Sequence, residues 1–593
     1  MCKVELKKDK NLFCMNCNLK INCINDIARF ETDMRLKENI KIKKLNEDVK
    51  SLGYENAIKK FTEKYPNVKN SLYNTRYDQS VDYIFHGITD NKTCIEIKSE
   101  LGNRVEILAN IFENVYSIDF DQESLEFQRQ RFKEKKLSNI FLHSSDPTKL
   151  PFPDEFFDMI LCNEILEEIT DCYKEKHQNI ENLFIKELTR ILKPSGKIIF
   201  GINSTKNKKY DLHKIKQICS KNQLENKIFW VVPSYNKPYF SARIDDKKSL
   251  RWFINNINNF LGKKSLKIRK KFLLSVIQKT NFQIINKIIG KMISSHIVCC
   301  SKNGMNDTLE NIILKNTGFT NIIMLSRRMK IFFLLFDEKN IPKKIVSIKR
   351  YGKKFPQELN VLERKFPNYK DPDEKMWIED WFPGHEVNPL KKNEVTLVIN
   401  WLKEFQNNSK QERFEKEDIE KEITLVKKGL EFVKSGKLER NHQWLEDYKN
   451  YMLTKTIHKT AAHGDFWVNN ILINPKSEKI NVLDWEYFKE KENPLFDFLV
   501  YYYDTMAMTQ ELGPVELFEE SWKGKGESQG ILELLKKEME SHLGFELDMK
   551  ILLRFYILRK IIPKEDEMVG KTPDPNTRIE STIYVKMLDI MEK

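Results

Sequence analysis

The spacing of apolar and polar positions changes along the chain, and these changes divide it into regions. Residues 24–85 carry apolar positions at helical spacing among many charges, which predicts helices. Residues 90–200 alternate short apolar runs with helical stretches, which predicts a parallel α/β sheet. After residue 308, strand-like runs such as 331–336 precede a long C-terminal half in which helical spacing dominates.

The stretch 301–307 (SKNGMND) has the composition of a linker and separates two predicted domains. The resulting fold class is α/β, and the family resemblances of the motifs described below imply a Rossmann-like domain followed by a bilobal α+β domain. The predicted boundaries are a cysteine cluster at 1–23, a helical segment at 24–85, a first domain at 86–300 with a basic insertion at about 205–295, and a second domain at 308–593 with an N-lobe at about 308–385 and a C-lobe at about 386–593.

Positive charge is concentrated in one part of the chain. The net charge is +15 over 593 residues, and residues 201–300 hold 21 Lys or Arg against four Asp or Glu. Such a field favours a docking face for an acidic partner: a phosphorylated glycan, an anionic membrane surface or nucleic acid. The alternative is a lysine-rich solvated surface without a partner.

Hydropathy and cysteine usage indicate the compartment. No apolar run approaches the ~18 residues that a membrane-spanning helix needs, and the N-terminus has no apolar signal core. The ten cysteines are unevenly spaced and several lie in apolar segments, which favours reduced thiols. We therefore expect a cytoplasmic protein, with peripheral contact at the inner face of the membrane through residues 201–300 as a further hypothesis.

The segment 463–470 (HGDFWVNN) followed by 482–486 (VLDWE) carries the residues of phosphoryl transfer. That reaction needs a carboxylate to orient the attacking hydroxyl and Mg²⁺ to neutralise the phosphates. Asp465 supplies the carboxylate, and Asn470 and Asp484 supply metal ligands. The runs ILI and NVLD flank a turn, so they predict a hairpin that returns Asp484 to the side of Asn470.

These motifs resemble the aminoglycoside-phosphotransferase and choline-kinase family, whose H-G-D, N-I-L and D-W-E motifs match HGDFWVNNIL and VLDWE. The resemblance implies ATP as the donor and Asp465 as the catalytic residue. It also implies that Lys349 binds phosphates, that Glu358 fixes this lysine and that the segment 379–384, beginning at Glu379, holds adenine. Asp497 matches a family aspartate for which we expect a structural role.

A second set of polar residues follows predicted strands between residues 90 and 200. Glu96 and Asp119 end two strands, and Asp146 and Asn163 follow two more. A carboxylate that ends the second strand of a Rossmann-like sheet binds ribose hydroxyls. A further carboxylate after the third strand can hold an adenine amine.

This run resembles the class I S-adenosylmethionine-dependent methyltransferases, on the segments 146–158 (DPTKLPFPDEFFD) and 190–196 (RILKPSG). The resemblance implies that S-adenosylmethionine binds at Glu96, Gly102, Asp119, Asp146 and Asn163. The family's first loop carries three glycines, of which only Gly102 is present, with Lys98 and Glu100 at the other two positions. An active methyltransferase and a degenerate scaffold domain both stay open.

Four cysteines lie close to the N-terminus, at Cys2, Cys14, Cys17 and Cys23. The C-x₂-C pair is a common half-site for Zn²⁺, which favours four thiolates. We therefore predict a zinc site, with an iron–sulfur site and free thiols as the alternatives.

The combined hypothesis is a bifunctional enzyme that phosphorylates a hydroxyl of a sugar or surface glycan with ATP and Mg²⁺ and methylates with S-adenosylmethionine. The domain order resembles glycan-capping methyltransferase–kinases, which implies an acidic, lipid-linked acceptor. One alternative is an aminoglycoside- or choline-like small-molecule kinase with a degenerate first domain. Another is a nucleic-acid-binding protein, which would show a steep salt dependence of binding.

Overall fold

The computed structural model of this chain divides into two compact units, residues 1–364 with 373–381 and residues 365–372 with 382–593. The residues that it describes are 7–8, 12–13, 20–30, 39–68, 72, 79–87, 92–173, 179–203, 212–246, 252, 295–305, 308–326, 330–339, 341–349, 376–409, 411–432, 442–474, 476–507, 514–561, 568–569, 572–573 and 575–592.

The described part of the first unit is a large sheet with helices on it. Its strands are β1 (Lys7–Lys8), β2 (Leu12–Phe13), β3 (Lys20–Ile24), β4 (Ile27–Arg29), β5 (Thr93–Ile97), β6 (Asn114–Ile118), β7 (Ile140–Ser144), β8 (Phe157–Cys162), β9 (Leu192–Asn203), β10 (Glu225–Ser234), β11 (Lys237–Arg243), β12 (Ser295–Ser301), β13 (Asn321–Ser326), β14 (Lys330–Phe336), β15 (Pro342–Lys349) and β16 (Met376–Asp380). Its helices are α1 (Ile40–Leu52), α2 (Tyr54–Lys64), α3 (Asn103–Leu108), α4 (Gln122–Glu134), α5 (Ile165–Cys172), α6 (Ile180–Ile191), α7 (Leu212–Lys221) and α8 (Leu309–Thr317), with 3₁₀ helices at Pro66–Val68 and Asp82–His86.

The centre of this sheet is parallel and reverses its strand order beside β5. Strands β7, β6, β5, β8 and β9 are neighbours in that order and all pair in parallel. The chain thus moves outward from β5 in both directions, which is the doubly wound arrangement. The parallel sheet predicted over residues 90–200 is confirmed.

Burial explains why these segments form strands and helices. All six residues of β8 (FDMILC) are buried, as expected of a central parallel strand covered on both faces. Helix α6 buries Ile180, Phe184, Leu188 and Ile191, which recur on one face at helical spacing. Each such side chain stabilises the fold by roughly 1.5–3 kcal/mol.

The predicted N-lobe strands belong to this same sheet. Strand β12 pairs antiparallel with β9 and β10, β10 pairs with β11, and β11 pairs with β13 through Phe240–Leu325 and Ser241–Met324. Strands β13 to β16 follow as an antiparallel meander. Along this part of the chain, the change from the first compact unit to the second falls at 381–382.

The second unit is mostly helical around small antiparallel sheets. Its described elements are β17 (His385–Glu386), α9 (Lys392–Asn407), β18 (Glu412–Arg413), α10 (Lys416–Phe432), α11 (His442–Leu453), β19 (His458–Ala462), β20 (Ile471–Ile473), β21 (Ile480–Val482), β22 (Lys489–Glu492), α12 (Leu495–Ala507), α13 (Pro514–Trp522), α14 (Gln529–Leu543), α15 (Met549–Ile561), β23 (Met568–Val569), β24 (Thr572–Pro573) and α16 (Pro575–Glu592), with 3₁₀ helices at Val468–Asn470 and Trp485–Tyr487.

Helix α12 is the centre of the second unit, because every residue from Leu495 to Ala507 except Phe496 is buried. A helix that is buried around its circumference must be covered on all sides by other elements. One hydrophobic core joins it to residues of α9, α14, α15 and α16 and to strand β20. The short loops between these elements are thereby held against a rigid centre.

Several predicted features lie wholly or mostly outside the described residues. They are Cys2, Cys14, Cys17, Glu358 and most of the basic region 201–300. Within the described residues, no helix is both long enough and apolar enough to cross a membrane.

Candidate active sites

The four predicted polar residues of the first unit come together at one edge of the parallel sheet. Glu96 is the penultimate residue of β5, Asp119 and Asn163 directly follow β6 and β8, and Asp146 lies two residues after β7. The carboxyl ends of parallel strands share an edge, and ligands of such sheets bind where the strand order reverses. Here that reversal lies between β5 and β8.

The loop after β5 keeps a left-handed backbone at all three positions where the family has glycine. The φ angles are 67° at Lys98, 53° at Glu100 and 72° at Gly102. A side chain in this region costs roughly 1–2 kcal/mol. The loop thus has the backbone conformation expected of a glycine-rich loop, and Lys98 and Glu100 adopt it at a cost in strain.

Each substituted position has a definite contact. The Nζ of Lys98 donates to Oε2 of Glu168 at 2.5 Å, and although burial opposes its charge, this hydrogen bond raises the pKa of Lys98. The backbone amide of Glu100 donates to Oδ2 of Asp119 at 2.7 Å. The loop is therefore anchored by its own side chain and by the carboxylate of the next strand.

Asp119 is buried and accepts two backbone hydrogen bonds, from Glu100 and, at 2.9 Å, from Asp121. Burial raises its pKa to about 7, against the lowering effect of these two amides. Each carboxylate oxygen keeps a second lone pair, so the group can still accept from ribose hydroxyls. The Asp119 carboxyl group therefore exchanges its proton with solvent near neutral pH.

Glu96 is paired inside the protein with Arg104, whose Nε donates to Glu96 Oε1. Burial raises the pKa of Glu96, and the positive charge of Arg104 opposes that rise. The other oxygen, Oε2, is buried and has no hydrogen-bond partner among the described residues. A buried acceptor of this kind is costly unless a ligand or water satisfies it.

Asn163 is engaged at both ends of its amide. Its Nδ2 donates to the hydroxyl of Tyr83 at 2.5 Å, and its Oδ1 accepts from the backbone amide of Gly201 at 2.8 Å. These bonds tie β8 to β9 and to the 3₁₀ helix 82–86. The geometry therefore favours a positioning role for Asn163 over direct contact with a cofactor.

Asp146 and Gly102 are held by local contacts. Asp146 accepts from the Thr148 amide at 2.8 Å and, through Oδ2, from the hydroxyl of Tyr173. A Cβ on Gly102 would lie 2.7 Å from Gln128 and 2.8 Å from Phe132, both on helix α4. Gly102 is thus required for close packing of the loop on that helix.

Sequence reasoning missed two residues of this edge, Arg104 and Tyr83. Arg104 lies eight residues after its partner Glu96, and Tyr83 lies 80 residues before Asn163. No motif marks either of them. Their assignment depends on the packing of helix α3 and of the 3₁₀ helix against the sheet.

In the second unit, a hairpin brings the two predicted metal ligands together. Strands β20 and β21 pair in the register Ile471–Val482, and the amide of Leu483 donates to the carbonyl of Asn470 at 2.7 Å. Asp484 is the next residue, in a left-handed conformation with φ of 63°. The predicted hairpin is confirmed, and it places Asp484 beside Asn470.

Asp465 lies in a tightly bonded loop. Trp467 donates to Asp465 Oδ1 through its indole Nε1, and the side chain Nδ2 of Asn470 donates to the Asp465 carbonyl at 2.9 Å. Donation through Nδ2 leaves Asn470 Oδ1 as an acceptor. Carboxylate and amide oxygens are the donors that Mg²⁺ prefers, so the residue set fits this metal.

Asp497 fixes the start of this loop through hydrogen bonds to its backbone. Its two oxygens accept from the backbone amides of His463 at 2.6 Å and Gly464 at 2.9 Å, and burial raises its pKa to about 7. Gly464 has φ of +82°, and a Cβ there would clash with the carbonyl oxygen of Tyr487. Only glycine fits this position.

His463 is bonded on both ring nitrogens. Nε2 lies 2.8 Å from the carbonyl of Leu483, and Nδ1 lies 3.3 Å from the amide of Asp465. A carbonyl requires a donor and an amide requires an acceptor, so the ring is the neutral Nε2–H tautomer. Burial lowers its pKa, which is consistent with that form.

The remaining predicted site residues that the structure describes lie on strands of the first unit. In the first unit, Lys349 ends β15 opposite Lys330, and Glu379 is a half-buried residue of β16 opposite Ile345. Cys23 is a half-buried free thiol in β3. Among the described residues, no three His, Cys, Asp or Glu side chains form a metal-binding group.

Residues 100–200 match the family model described as a methyltransferase domain. The N-terminal part of the chain therefore contains a class I S-adenosylmethionine-dependent methyltransferase domain, with the Rossmann-like fold described above. The resemblance found on the motifs of residues 146–158 and 190–196 is confirmed at this level.

Two curated relatives illustrate the likeness. The demethylmenaquinone methyltransferase of Geobacillus sp. (strain WCH70) is 31% identical over 85 residues, which are 14% of this chain and 32% of that protein. The protein of the same name from Listeria welshimeri is 29% identical over 85 residues, with the same shares of 14% and 32%. The chain spans about a third of the length of these relatives.

Solved structures give weaker likenesses. A SAM dependent methyltransferase from Aquifex aeolicus has a TM-score of 0.23 at 18% identity, over 28% of this chain and 87% of that one. The YcgJ protein of Bacillus subtilis has a TM-score of 0.24 at 15% identity, over 38% and 99%. With scores this low, neither structure bears on the activity or the substrate of this chain.

Proposed function

We propose that the first unit binds S-adenosylmethionine at the switch point of its sheet and transfers the methyl group to an acceptor. The left-handed backbone at Lys98, Glu100 and Gly102 is the observation that carries this proposal, because it keeps the loop's course without two of its glycines. The unpartnered Oε2 of Glu96 and the free lone pairs of Asp119 are acceptors for donors of such a cofactor.

When bound, the cofactor would supply an activated methyl group on a sulfonium. Two residues of the chain would bind polar groups of the cofactor. Asp119 would accept hydrogen bonds from the ribose hydroxyls, and Asp146 would accept one from the adenine amine. Arg104 keeps Glu96 oriented, and Asn163 fixes the edge of β8 against Tyr83. These assignments for Asp119 and Asp146 follow the family resemblance.

Thermal unfolding of the full chain with and without S-adenosylhomocysteine tests the methyltransferase proposal. A ligand at ~100 times its dissociation constant that binds only the folded state adds about 2.7 kcal/mol. We expect a clear upward shift, abolished by Asp119→Ala. Without a shift at millimolar ligand, the domain would be a scaffold and the proposal would be withdrawn.

We propose that the second unit is a kinase that transfers phosphate from ATP to a hydroxyl of a sugar or glycan. The contact that supports this is the Leu483–Asn470 hydrogen bond, which sets Asp484 beside Asn470 in the loop that carries Asp465. Asp465 would orient the acceptor hydroxyl, and Asn470 and Asp484 would hold Mg²⁺. The nucleotide-binding roles that the resemblance implies for Lys349, Glu358 and Glu379 stay predictions, because these residues belong to the first unit.

The substitution Asp465→Asn tests the kinase proposal. It keeps the side chain's size and removes the negative charge that orients the hydroxyl, so we expect transfer to be lost while ATP binding persists. Transfer of phosphate from ATP and ATP binding by calorimetry are measured on the same preparation. Full transfer by the variant would exclude Asp465 as the catalytic residue.

The biological setting belongs to the same proposal. A surface glycan that is phosphorylated and then methylated would be lipid-linked and acidic, and the 21 Lys or Arg of residues 201–300 would hold it near the inner face of the membrane. A co-sedimentation assay of the full chain with anionic and zwitterionic vesicles tests this. Equal binding to both vesicle types would contradict it.

A further inference from the structure

One glutamate at the carboxyl edge of the parallel sheet has a strained backbone. Glu164 follows Asn163 directly after β8, and its φ of 49° lies in the left-handed region. Its amide donates to the carbonyl of Gly201 on β9 at 3.1 Å. Although Glu164 precedes helix α5, its side chain makes no capping hydrogen bond to that helix. Residues with such strain cluster at active sites and ligand-binding sites, so Glu164 is a candidate for a role in this one.

Tyr235 orients the Glu164 side chain. Burial raises the pKa of Tyr235, and the negative charge of Glu164 and a hydrogen bond to its carboxylate add to the rise. The Tyr235 hydroxyl is the donor of this bond. A Cβ on Gly201 would lie 2.6 Å from the Tyr235 ring and 2.5 Å from Asn163 Oδ1, so the glycine makes room for the ring beside Asn163. The Tyr235 amide donates to Ser295 Oγ at 2.7 Å, which anchors the residue to β12.

The cations of this edge pair with other carboxylates. Arg104 pairs with Glu96, and Lys98 pairs with Glu168. Within the described ranges, no lysine, arginine or histidine forms an ion pair with Glu164, which is half-buried. A carboxylate has about four lone-pair sites, so one hydrogen bond leaves room for a further contact. Glu164 therefore adds to this edge a negative charge that no described cation balances.

Strand order places Glu164 on the far side of the switch point from the proposed adenosine contacts. Asp119 and Asp146 follow β6 and β7, which lie on one side of β5. Glu164 follows β8, which lies on the other side of β5. Ligands of such sheets lie across the crevice at the switch point. A cofactor with its adenosine over β6 and β7 would direct its sulfonium toward β8 and Glu164.

The charge of the cofactor changes at this sulfonium. S-adenosylmethionine carries a positive charge on sulfur, whereas the product S-adenosylhomocysteine has a neutral thioether there. Opposite charges a few ångströms apart in a partly buried site attract each other more strongly than in bulk water. A carboxylate beside the sulfur thus stabilises the bound cofactor without stabilising the bound product.

We propose that the Glu164 carboxylate, oriented by Tyr235, lies beside the cofactor's sulfonium and makes the site prefer the charged cofactor to the neutral product. This inference rests on the proposed methyltransferase function and adds a specificity-determining residue to its site. Its consequence is easier exchange of spent product for fresh cofactor. Tyr235 acts through Glu164 and is a positioning residue.

The experiment compares three ligands of the full chain by calorimetry at neutral pH. They are S-adenosylmethionine, S-adenosylhomocysteine and sinefungin, which carries an ammonium group where the cofactor has its methylated sulfonium. We expect the wild type to bind each of the two cationic ligands at least about threefold more tightly than S-adenosylhomocysteine. The quantity that tests the inference is this ratio of affinities, which does not depend on knowing the methyl acceptor.

Two variants and one control separate charge recognition from structure. Glu164→Gln keeps the size of the side chain and should bring the ratio close to one, while the affinity for S-adenosylhomocysteine stays the same. Tyr235→Phe keeps the ring over Gly201 and should give an intermediate ratio. Glu113→Gln changes an exposed glutamate directly before β6, at the opposite edge of the parallel sheet, and should keep the wild-type ratio.

The outcomes distinguish the inference from the function beneath it. A wild-type ratio in Glu164→Gln, or an equal loss of affinity for all three ligands, overturns the inference and leaves cofactor binding standing. A wild-type ratio in Tyr235→Phe overturns the positioning role of Tyr235. If none of the three ligands binds to the wild type, the methyltransferase proposal and the inference are both overturned.

Discussion

The backbone amide of Glu100 donates a hydrogen bond of 2.7 Å to Oδ2 of Asp119. It links the loop that should surround the methionine part of the cofactor to the carboxylate that should hold its ribose. The loop contributes a rigid amide there, while its side chains at Lys98 and Glu100 occupy conformations that glycine adopts without strain.

Replacing Glu100 by glycine should strengthen cofactor binding. Glu100→Gly removes a side chain from the loop and relieves a left-handed strain of about 1 kcal/mol, which the greater freedom of glycine in the unfolded chain partly offsets. We expect S-adenosylhomocysteine to bind severalfold more tightly by calorimetry, with the free energy of unfolding changed by about 1 kcal/mol or less. Glu100→Ala is the control, because it shortens the side chain and keeps the strain. Equal affinities for all three proteins would show that the loop does not contact the cofactor.

The buried carboxyl of Asp497 should make the stability of the second unit depend on pH. Burial raises its pKa from 3.8 to about 7 in the folded state, so the folded protein binds more protons than the unfolded chain between those values. Its contribution to stability is therefore fully present below about pH 4 and is lost as the pH rises through 7.

The substitution Asp497→Asn tests this dependence. The variant loses one of two amide hydrogen bonds, at a cost of about 1–3 kcal/mol, but it cannot titrate. Urea unfolding at pH 5 and pH 8 should show that its deficit relative to the wild type is smaller at pH 8. A deficit that is the same at pH 5 and pH 8 would mean that Asp497 is already ionised in the folded state at pH 5.

Trp467 should act on catalysis through Asp465. Trp467→Phe keeps an aromatic ring beneath Lys560 and removes the indole donor to Asp465 Oδ1. A hydrogen bond to a charged group contributes about 1.5–3 kcal/mol, so we expect kcat to fall at least tenfold. The KM for ATP should stay the same. An unchanged kcat would argue against this contact.

Gly464 should be intolerant of any side chain. Gly464→Ala combines a φ of +82° with a Cβ that clashes with the Tyr487 carbonyl oxygen, whereas Gly544→Ala has a φ of +80° with no atom within 4 Å of the Cβ. Gly544→Ala thus measures the strain of the left-handed backbone alone, about 1 kcal/mol. We expect Gly464→Ala to be destabilised by at least ~2 kcal/mol more in urea unfolding, because the clash adds overpacking to the strain. Equal losses would mean that the loop shifts freely around Tyr487.

Local patterns in the sequence were enough for part of this fold. Strand and helix spacing over residues 90–200 predicted the parallel sheet and placed Glu96 and Asp119 at the ends of two of its strands. The segments ILI and NVLD with a turn between them predicted the hairpin that sets Asp484 beside Asn470. In these cases the partners are close in sequence or follow from strand direction.

Other relationships were decided only by tertiary packing. The sheet continues from β11 into β13, so the predicted N-lobe strands share the sheet of the first unit, although the linker-like stretch 301–307 suggested a break. The pair Tyr83–Asn163 joins residues 80 positions apart, and Lys560 reaches Trp467 from a distant helix. Hydrophobic spacing determines which face of an element is buried, and motif spacing determines which groups share a loop. Tertiary packing then decides which helices and strands meet and which side chains pair. It depends on the buried faces of all elements at once, so this information is distributed over the whole chain.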